Sequence, residues 1–422
     1  MAARILQVDL NTPLAPIPTG DRYGALWILV RVGRRPIGWV RVRRAVVGAV
    51  LMPDRLQELI AEQIGMHVLD AFRNRMDELP APADARLASM SVVVCTREHP
   101  DVLERQLESL ARLDYPDYEV IVVDNAPRTD GTRKVCEKFP QFRYVVEPRK
   151  GLDYARNTGW RTARNEVVAY TDDDACVDPG WLRGLGYNFL DPQVKCVTGT
   201  TYPLELETPA QEYFERYGGM QRGFNRKVYR PGTWNAFYPL GSGRFGAGVN
   251  MSIRRDTLEA MGGFDDALDV GSLARGCGDL DIFARVIRDG GLLVYDPCAI
   301  VFHQHRKTMA QLRKQMFDYG FGFCAYVGKY AYDLELGNHS MKMLRRWSAA
   351  WGKTRLRSNL KLALKLRPHF PIHLILAEIW GGMMGLGAYK RSVERVQSDA
   401  IREYRNQQKA AAAMAKAAAK AA

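Results

Sequence analysis

From about residue 90 the chain alternates two kinds of hydrophobic pattern. Short strand-like runs of five to seven residues stand at 91–95, 119–123, 142–146, 166–171 and 194–200. The run at 166–171, apolar on consecutive residues and not at every second one, has the pattern of a strand buried on both faces. Between them lie stretches with apolar residues three and four apart. The first is 102–113, with Leu103, Leu107, Leu110 and Leu113 on one face; 131–139, 152–164 and 179–190 follow. That spacing is one face of a helix. Strands and helices in alternation predict an α/β core, a mostly parallel sheet with helices on both faces.

Ahead of this core, residues 1 to about 20, with prolines at 13, 16 and 18, read as a loose lead. Runs at 25–32 and 37–42 around Gly33, Arg34, Arg35 and Pro36 predict a hairpin, and Pro53 opens a helix over 54–73. The Pro-rich run 78–84 is a linker by composition. Behind the core, 213–249 is rich in glycine and aromatics and has no clear period. A strand at 249–253, helices at 256–261 and 280–288, a turn at 262–265 and strands at 292–295 and 299–302 follow. The expected organisation is a small α+β module over 1–80, a catalytic domain over 81–305 and a basic helical region over 306–422. An Ala/Lys run from residue 409 closes that last region.

Composition narrows the choices. The chain has 422 residues, 47% of them hydrophobic, enough to bury a large core. A formal charge of +13 points to an anionic partner: nucleic acid, anionic lipid or a phosphate-rich substrate. Seven cysteines without a C-x-x-C pair argue against a disulfide framework and structural zinc, and for a reducing compartment. Arg4, Asp9 and the early prolines do not make a signal peptide, and no run of 20 uninterrupted apolar residues exists. A cytoplasmic protein, peripheral at the inner face of the cell membrane, is expected.

The sharpest chemical signal is Asp172-Asp173-Asp174, at the end of the apolar run 166–171. Two like charges about 4 Å apart repel by roughly 4 kcal/mol at an effective dielectric near 20. A hard cation removes that cost and holds phosphate oxygens as well. Ligands of open α/β sheets bind beyond the carboxyl ends of the strands, where this cluster is predicted to lie. A solvated acidic turn leading into Pro179 is the plainer alternative.

Eight segments together resemble family 2 glycosyltransferases of the GT-A fold. They are VVVCTREHPDVLERQLESL, YEVIVVDNAPRTDGT, GLDYARNTGW, AYTDDDACVDPGWL, GAGVNMSIRR, GGFD, GCGDLDIFARVIRDGG and DPCAIVFHQHR, in order between about 91 and 323. The resemblance implies a Rossmann-like GT-A core and an inverting, metal-dependent transfer of a sugar from a nucleoside-diphosphate donor to an acceptor hydroxyl. Asp172 and Asp174 match the family's D-x-D element, which shares Mn²⁺ or Mg²⁺ with the diphosphate. Asp173 is a candidate for the metal, the ribose or the donor sugar. Thr96, Arg97, Asp124 and Asn125 follow the first two strands, where the family's nucleotide sits. Asn125 stands where many relatives have a second Asp, so the base is open: UDP is favoured, with GDP and dTDP as alternatives. Arg156 matches G-x-x-x-A-R-N-x-G and is expected to reach the diphosphate.

Asp279 aligns with the family's catalytic base, although Gly278 replaces the usual Glu before it. A helix N-cap is the plainer role for the same residue. Asp281 and Trp234, with Phe237 and Tyr238 beside it, are candidates for holding the acceptor, a saccharide or a lipid-linked sugar. His303 is a candidate metal ligand; His305 follows it as a candidate for the metal or the phosphate, and Arg306 as a candidate for the phosphate.

Between Leu336 and Ala377 there is no acidic residue, while nine Lys and Arg accumulate among Trp347, Trp351 and several leucines. No nucleic-acid motif is present there, and nucleic acid is not an expected partner. An interfacial helix on an anionic membrane and plain packing on the core are the two readings. A sugar-phosphate nucleotidyltransferase would need a Gly-rich phosphate loop after the first strand, which Cys95 to Pro100 does not supply. A silent nucleotide-sugar-binding module is the other alternative, and the intact Asp172, Asp174 and Asp279 argue against it.

Overall fold

The computed structural model describes residues 2–43, 48–77, 87–232, 238–331, 337–349 apart from 339, 343 and 347, and 371–402. The linker 78–84, Trp234, Phe237, most of the basic run and the Ala/Lys tail lie outside the described residues.

The amino-terminal module contains β1 (Ala3–Asp9), β2 (Ile17–Pro18), β3 (Ala25–Val32), β4 (Arg35–Arg43), β5 (Val50–Leu51) and α1 (Pro53–Asp77). β3 and β4 form the predicted hairpin, and β2 pairs with β5. The expectation of a loose lead is corrected, because β1 pairs in parallel with β3 along its whole length. Leu6, Val8 and Leu10 alternate with polar residues and pack against the module's core, under Leu56, Leu59, Ile60 and Ile64 of α1. The module is not free of the rest: Leu29 and Trp39 pack on Tyr202, Ile300 and Phe302. Arg31 joins Asp178 at 2.6 Å across the same contact.

The α/β core then runs β6 (Met90–Thr96), α2 (Pro100–Leu110), β7 (Tyr118–Asn125), α3 (Gly131–Cys136), β8 (Arg143–Glu147), α4 (Leu152–Thr162) and β9 (Val167–Asp172). It continues with β10 (Ala175–Val177), α5 (Trp181–Gly186), β11 (Val194–Pro203), α6 (Pro209–Tyr217), β12 (Lys227–Tyr229) and β13 (Met251–Arg254). α7 (Arg255–Ala260), α8 (Gly278–Arg288) and β14 (Leu292–His303) complete it. One sheet has the order β10-β14-β11-β13-β9-β6-β7-β8, with β12 against β14. β6, β7, β8, β9, β11 and β14 run in one direction; β10, β12 and β13 oppose them. The carboxyl ends of β6, β7, β9 and β14 therefore share one edge.

Period-two alternation puts each face of the sheet into its own core. Met90, Val92 and Val94 of β6 pack with Leu103 and Leu107 of α2 and Trp181 of α5. Val93, between them, packs on the other face with Ala155 of α4 and Ile282 and Phe283 of α8. The helix expected over 179–190 is shorter, α5 followed by a 3-10 turn at Tyr187–Leu190. The two strands expected at 292–295 and 299–302 are one strand, whose pairing with β11 shifts register between Gly199 and Thr200. A bulge around Pro297 absorbs the break that the sequence shows.

Beyond the sheet, α9 (Met309–Ala331) and α10 (Ile372–Gly385) pack as a pair. Among the described residues no single helix is long and apolar enough to cross a membrane.

Candidate active site

β9 ends on Asp172, and a tight turn leads through Asp173 and Asp174 into β10. β10 pairs with β14 so that Ala175 lies opposite His303, which brings the imidazole beside Asp174. His303 Nε2 is 3.2 Å from Asp174 Oδ1, and Arg306 is 3.7 Å from Oδ2. One ligand atom each from Asp172, Asp174 and His303 lie within 4.8 Å of one another. Two carboxylates and an imidazole at that spacing fit a divalent cation.

The electrostatics agree with that fit. Burial and the neighbouring Asp174 push the Asp172 carboxyl up to about 7, against the opposing charges of Arg156 and His303. Burial acts on Asp174 in the same sense, but His303 and Arg306 outweigh it and bring that carboxyl down to about 2. For His303, burial favours the neutral ring, and Asp174 more than offsets it, so its pKa is raised. Among the described residues no hydrogen-bond donor reaches Asp172, so its charge is met only through space.

Asp173 turns the other way. Its Oδ2 accepts from Thr96 Oγ1 at 2.7 Å and lies 3.2 Å from His99 Nδ1. Thr96 and Asp173 thus brace the ends of β6 and β9 against each other. His99 escaped the sequence reading, as no motif marks it.

At the end of β7, Asp124 is fully buried; Tyr144 donates to its Oδ2 at 2.8 Å, and its Oδ1 has no partner. Burial raises its pKa. The buried Nε of Arg97 is also unpartnered. Asn125 is committed within the protein: it donates to the Arg149 carbonyl at 2.7 Å and accepts from the Gly151 amide at 3.0 Å.

Arg156 is not on a solvated helix face. It is buried and donates to Asp153 at 2.9 Å and to Asp269 at 2.5 Å. Asp279 lies close by: its Oδ2 accepts from the Gly248 amide and its Oδ1 from the Leu280 amide, each at 2.8 Å. A Cβ on Gly248 would come within 2.8 Å of Arg156 Nη2 and 3.1 Å of Asp279 Cβ, so only glycine lets these three approach. Burial and the charge of Asp269 raise the Asp279 pKa, opposed by Arg156 and the two amides. The N-cap of α8 is Cys277, in the left-handed region at φ 72°, so Asp279 sits inside the first turn. Asp153 and Asp269 were not singled out from the sequence. The i,i+3 spacing of Asp153 and Arg156 was a legible signal; nothing in the sequence brings Asp269 to them.

Two candidates for the acceptor are corrected. Asp281 is fully buried and bonded to Arg285 at 2.8 Å, Lys329 at 2.7 Å and Tyr330 at 2.6 Å, which leaves its carboxylate no access to a substrate. Tyr238 is buried against Phe245 and donates to the Arg230 carbonyl. His305 is not a member of the acidic cluster: its Nε2 meets Glu215 at 2.8 Å.

Residues 91–262 match the family model described as glycosyl transferase family 2. This stretch of the chain is similar to family 2 glycosyltransferases. The pre-mycofactocin glycosyltransferase of Mycobacterium tuberculosis is 27% identical over 235 residues, 54% of this chain and 45% of that protein. The glucosyl-dolichyl phosphate glucuronosyltransferase of Haloferax volcanii is 27% identical over 187 residues, 42% of this chain and 56% of its own length. The chain thus spans about half the length of these relatives. The structure of a mannosyltransferase from Pyrobaculum calidifontis, in complex with GDP-Man and Mn²⁺, aligns with 80% of this chain and 97% of its own at 18% identity, with a TM-score of 0.46. The matched stretch carries Asp124, Arg156 and the Asp172–Asp174 turn; Asp279 and His303 come from the elements that follow it.

Proposed function

We propose that the protein transfers a sugar from a nucleoside-diphosphate sugar to an acceptor hydroxyl with inversion, using a divalent cation at Asp172, Asp174 and His303. The observation that carries this reading is the convergence of those three side chains at the strand ends of a glycosyltransferase domain. Mn²⁺ or Mg²⁺ bound there would offset the charge of the departing diphosphate. Asp124, with one buried oxygen unpartnered, suits an N–H on the edge of the base, and Arg97 suits a phosphate. UDP is the favoured donor nucleotide; GDP and dTDP also present an N–H to Asp124.

Asp279 takes the acceptor's proton. The amides of Gly248 and Leu280 hold it in place, and burial raises its pKa, which makes it a stronger base than a free carboxylate. Arg156 steadies the charge between the cation end and the base end, since it interacts electrostatically with both Asp172 and Asp279. The test is a thermal shift against UDP, GDP and dTDP with and without Mn²⁺. A ligand at about 100 times its dissociation constant adds roughly 2.7 kcal/mol. A shift that requires both metal and nucleotide supports the reading; none with any pair opposes it.

The same protein is proposed to work at the inner face of the cell membrane, on a saccharide or lipid-linked acceptor. α10 turns Leu376, Trp380, Met383 and Met384 outward, each about half exposed, beside a run rich in Lys and Arg. Its other face packs on α9, where Gly381 and Gly385 meet the backbone of Phe317 and Phe321. Co-sedimentation with anionic vesicles should fall with salt and with Trp380→Ser. Equal binding to neutral vesicles speaks against it.

A further inference from the structure

α6 supplies nothing to the cation, the base or the nucleotide, yet it grips one residue just past β14 in three ways. Glu215 Oε1 lies 2.8 Å from His305 Nε2, Gln211 Nε2 donates to the His305 carbonyl at 3.3 Å, and Phe214 stands edge-on to the imidazole at 4.6 Å. The start of α6 is itself fixed by reciprocal bonds between Thr208 and Gln211. The His305 and Glu215 side chains are 1% and 5% exposed. His305 Nδ1 lies 3.3 Å from His303 Nδ1, whose Nε2 lies 3.2 Å from Asp174. A row of hydrogen-bonding groups thus runs from α6 to the acidic turn.

With His303 neutral, one arrangement of protons satisfies the row. An ionised carboxylate only accepts, so His305 carries its proton on Nε2 to bond Glu215. Its Nδ1 is then a lone pair, and His303 donates to it from Nδ1. The remaining lone pair, on His303 Nε2, faces the carboxylates of Asp172 and Asp174, an arrangement that is favourable only around a cation. We propose that Glu215 and His305 are positioning residues: they lock His303 in the Nδ1–H tautomer and so present its Nε2 to a divalent cation held with Asp172 and Asp174. This rests on the metal reading above. Neither residue touches the cation; each acts through the ring orientation and tautomer of His303, as carboxylates behind ligating histidines do.

The tautomers can be read directly. In the full-length protein labelled with ¹⁵N-histidine and given Mg²⁺, long-range ¹H–¹⁵N imidazole spectra should show His305 as Nε2–H and His303 as Nδ1–H. A His303 ring protonated only on Nε2 overturns the proposal. Mn²⁺ affinity without nucleotide, from the free-ion EPR signal, should weaken about 10- to 100-fold in Glu215→Ala. Glu215→Gln should recover most of it, because its amide oxygen still accepts from Nε2–H. Wild-type affinity in Glu215→Ala overturns the proposal; if that variant does not fold, the spectra of the native protein decide. Asp174→Ala separates the two levels. Loss of Mn²⁺ there with no change in Glu215→Ala sinks the tautomer lock alone, whereas wild-type Mn²⁺ binding in Asp174→Ala sinks the metal site and the lock together.

Discussion

The chain has two aspartate pairs of identical spacing, Asp172 with Asp174 and Asp279 with Asp281, and the backbone treats them oppositely. Asp172 ends a strand and Asp174 follows in the turn, so both come to the same place, beside His303. Asp279 and Asp281 lie on a helix, where two positions correspond to a rotation of about 200°. They therefore face apart, Asp279 toward Gly248 and Arg156, Asp281 toward Arg285, Lys329 and Tyr330. The second difference is in charge. The protein neutralises Asp281 with its own Lys329 and Arg285, whereas Asp172 has no direct donor among the described residues. A buried carboxylate that the fold has paired is structural; one that it leaves to a field is a place for something to bind.

Removing the cation should have the largest effect. EDTA should abolish donor binding, and Asp174→Ala should reproduce that loss with little change in melting temperature. Unchanged nucleotide affinity in calorimetry of Asp174→Ala would erase the distinction between the pairs.

The next contrast lies within the helical pair. Asp279→Asn keeps the size and one of the two bonds from the Gly248 and Leu280 amides, but removes the proton acceptor. Transfer should slow by about 10²- to 10⁴-fold, with nucleoside-diphosphate affinity nearly unchanged and only a small fall in melting temperature. A variant that loses stability but keeps its rate per folded molecule would make Asp279 a structural residue like its neighbour.

Asp281→Ala should do the reverse. It strands Lys329 and Arg285 in the core, a change that costs about 3–5 kcal/mol where one partner of a buried pair is removed. Denaturant unfolding should show this loss, while the rate of the folded fraction changes little. A full loss of rate with normal stability would return Asp281 to the reaction.

The smallest expected effect concerns pH. The base acts only when ionised, and its pKa is raised by burial and by Asp269. The rate should therefore fall, as pH drops, above the usual carboxylate range. Asp269→Asn removes the raising charge and moves that acid limb to lower pH; Asn tolerates the left-handed backbone of residue 269, at φ 60°. A limb that stays in place would show that burial alone sets the base.

Local pattern was enough for the order of strands and helices in the α/β core, because its central strands are buried on both faces and its helices on one. It also placed Asp172, Asp174, Asp124 and Asp279 at element ends, where such a sheet gathers its ligands. The same local pattern misled where a composition signal outweighed a periodic one: early prolines hid the alternation of Leu6 and Val8 in β1 and of Leu10 just after it. It could not tell which members of a motif face the cleft. Asn125 looked like a base-binding residue and ties down the loop at Arg149 and Gly151. Arg156 looked like a phosphate ligand and is locked between Asp153 and Asp269, the latter 113 residues away.

Those assignments depend on which side chains meet across distant elements. The pairing of β10 with β14 brings His303 to Asp174, and the packing of α6 brings Glu215 to His305, 90 residues apart. The sequence by itself determined the elements and the chemistry available at their ends, since periodicity and residue type are local properties. Whether each carboxylate was already neutralised was decided only by the tertiary structure, because a buried charge takes its meaning from partners that folding, not sequence proximity, supplies.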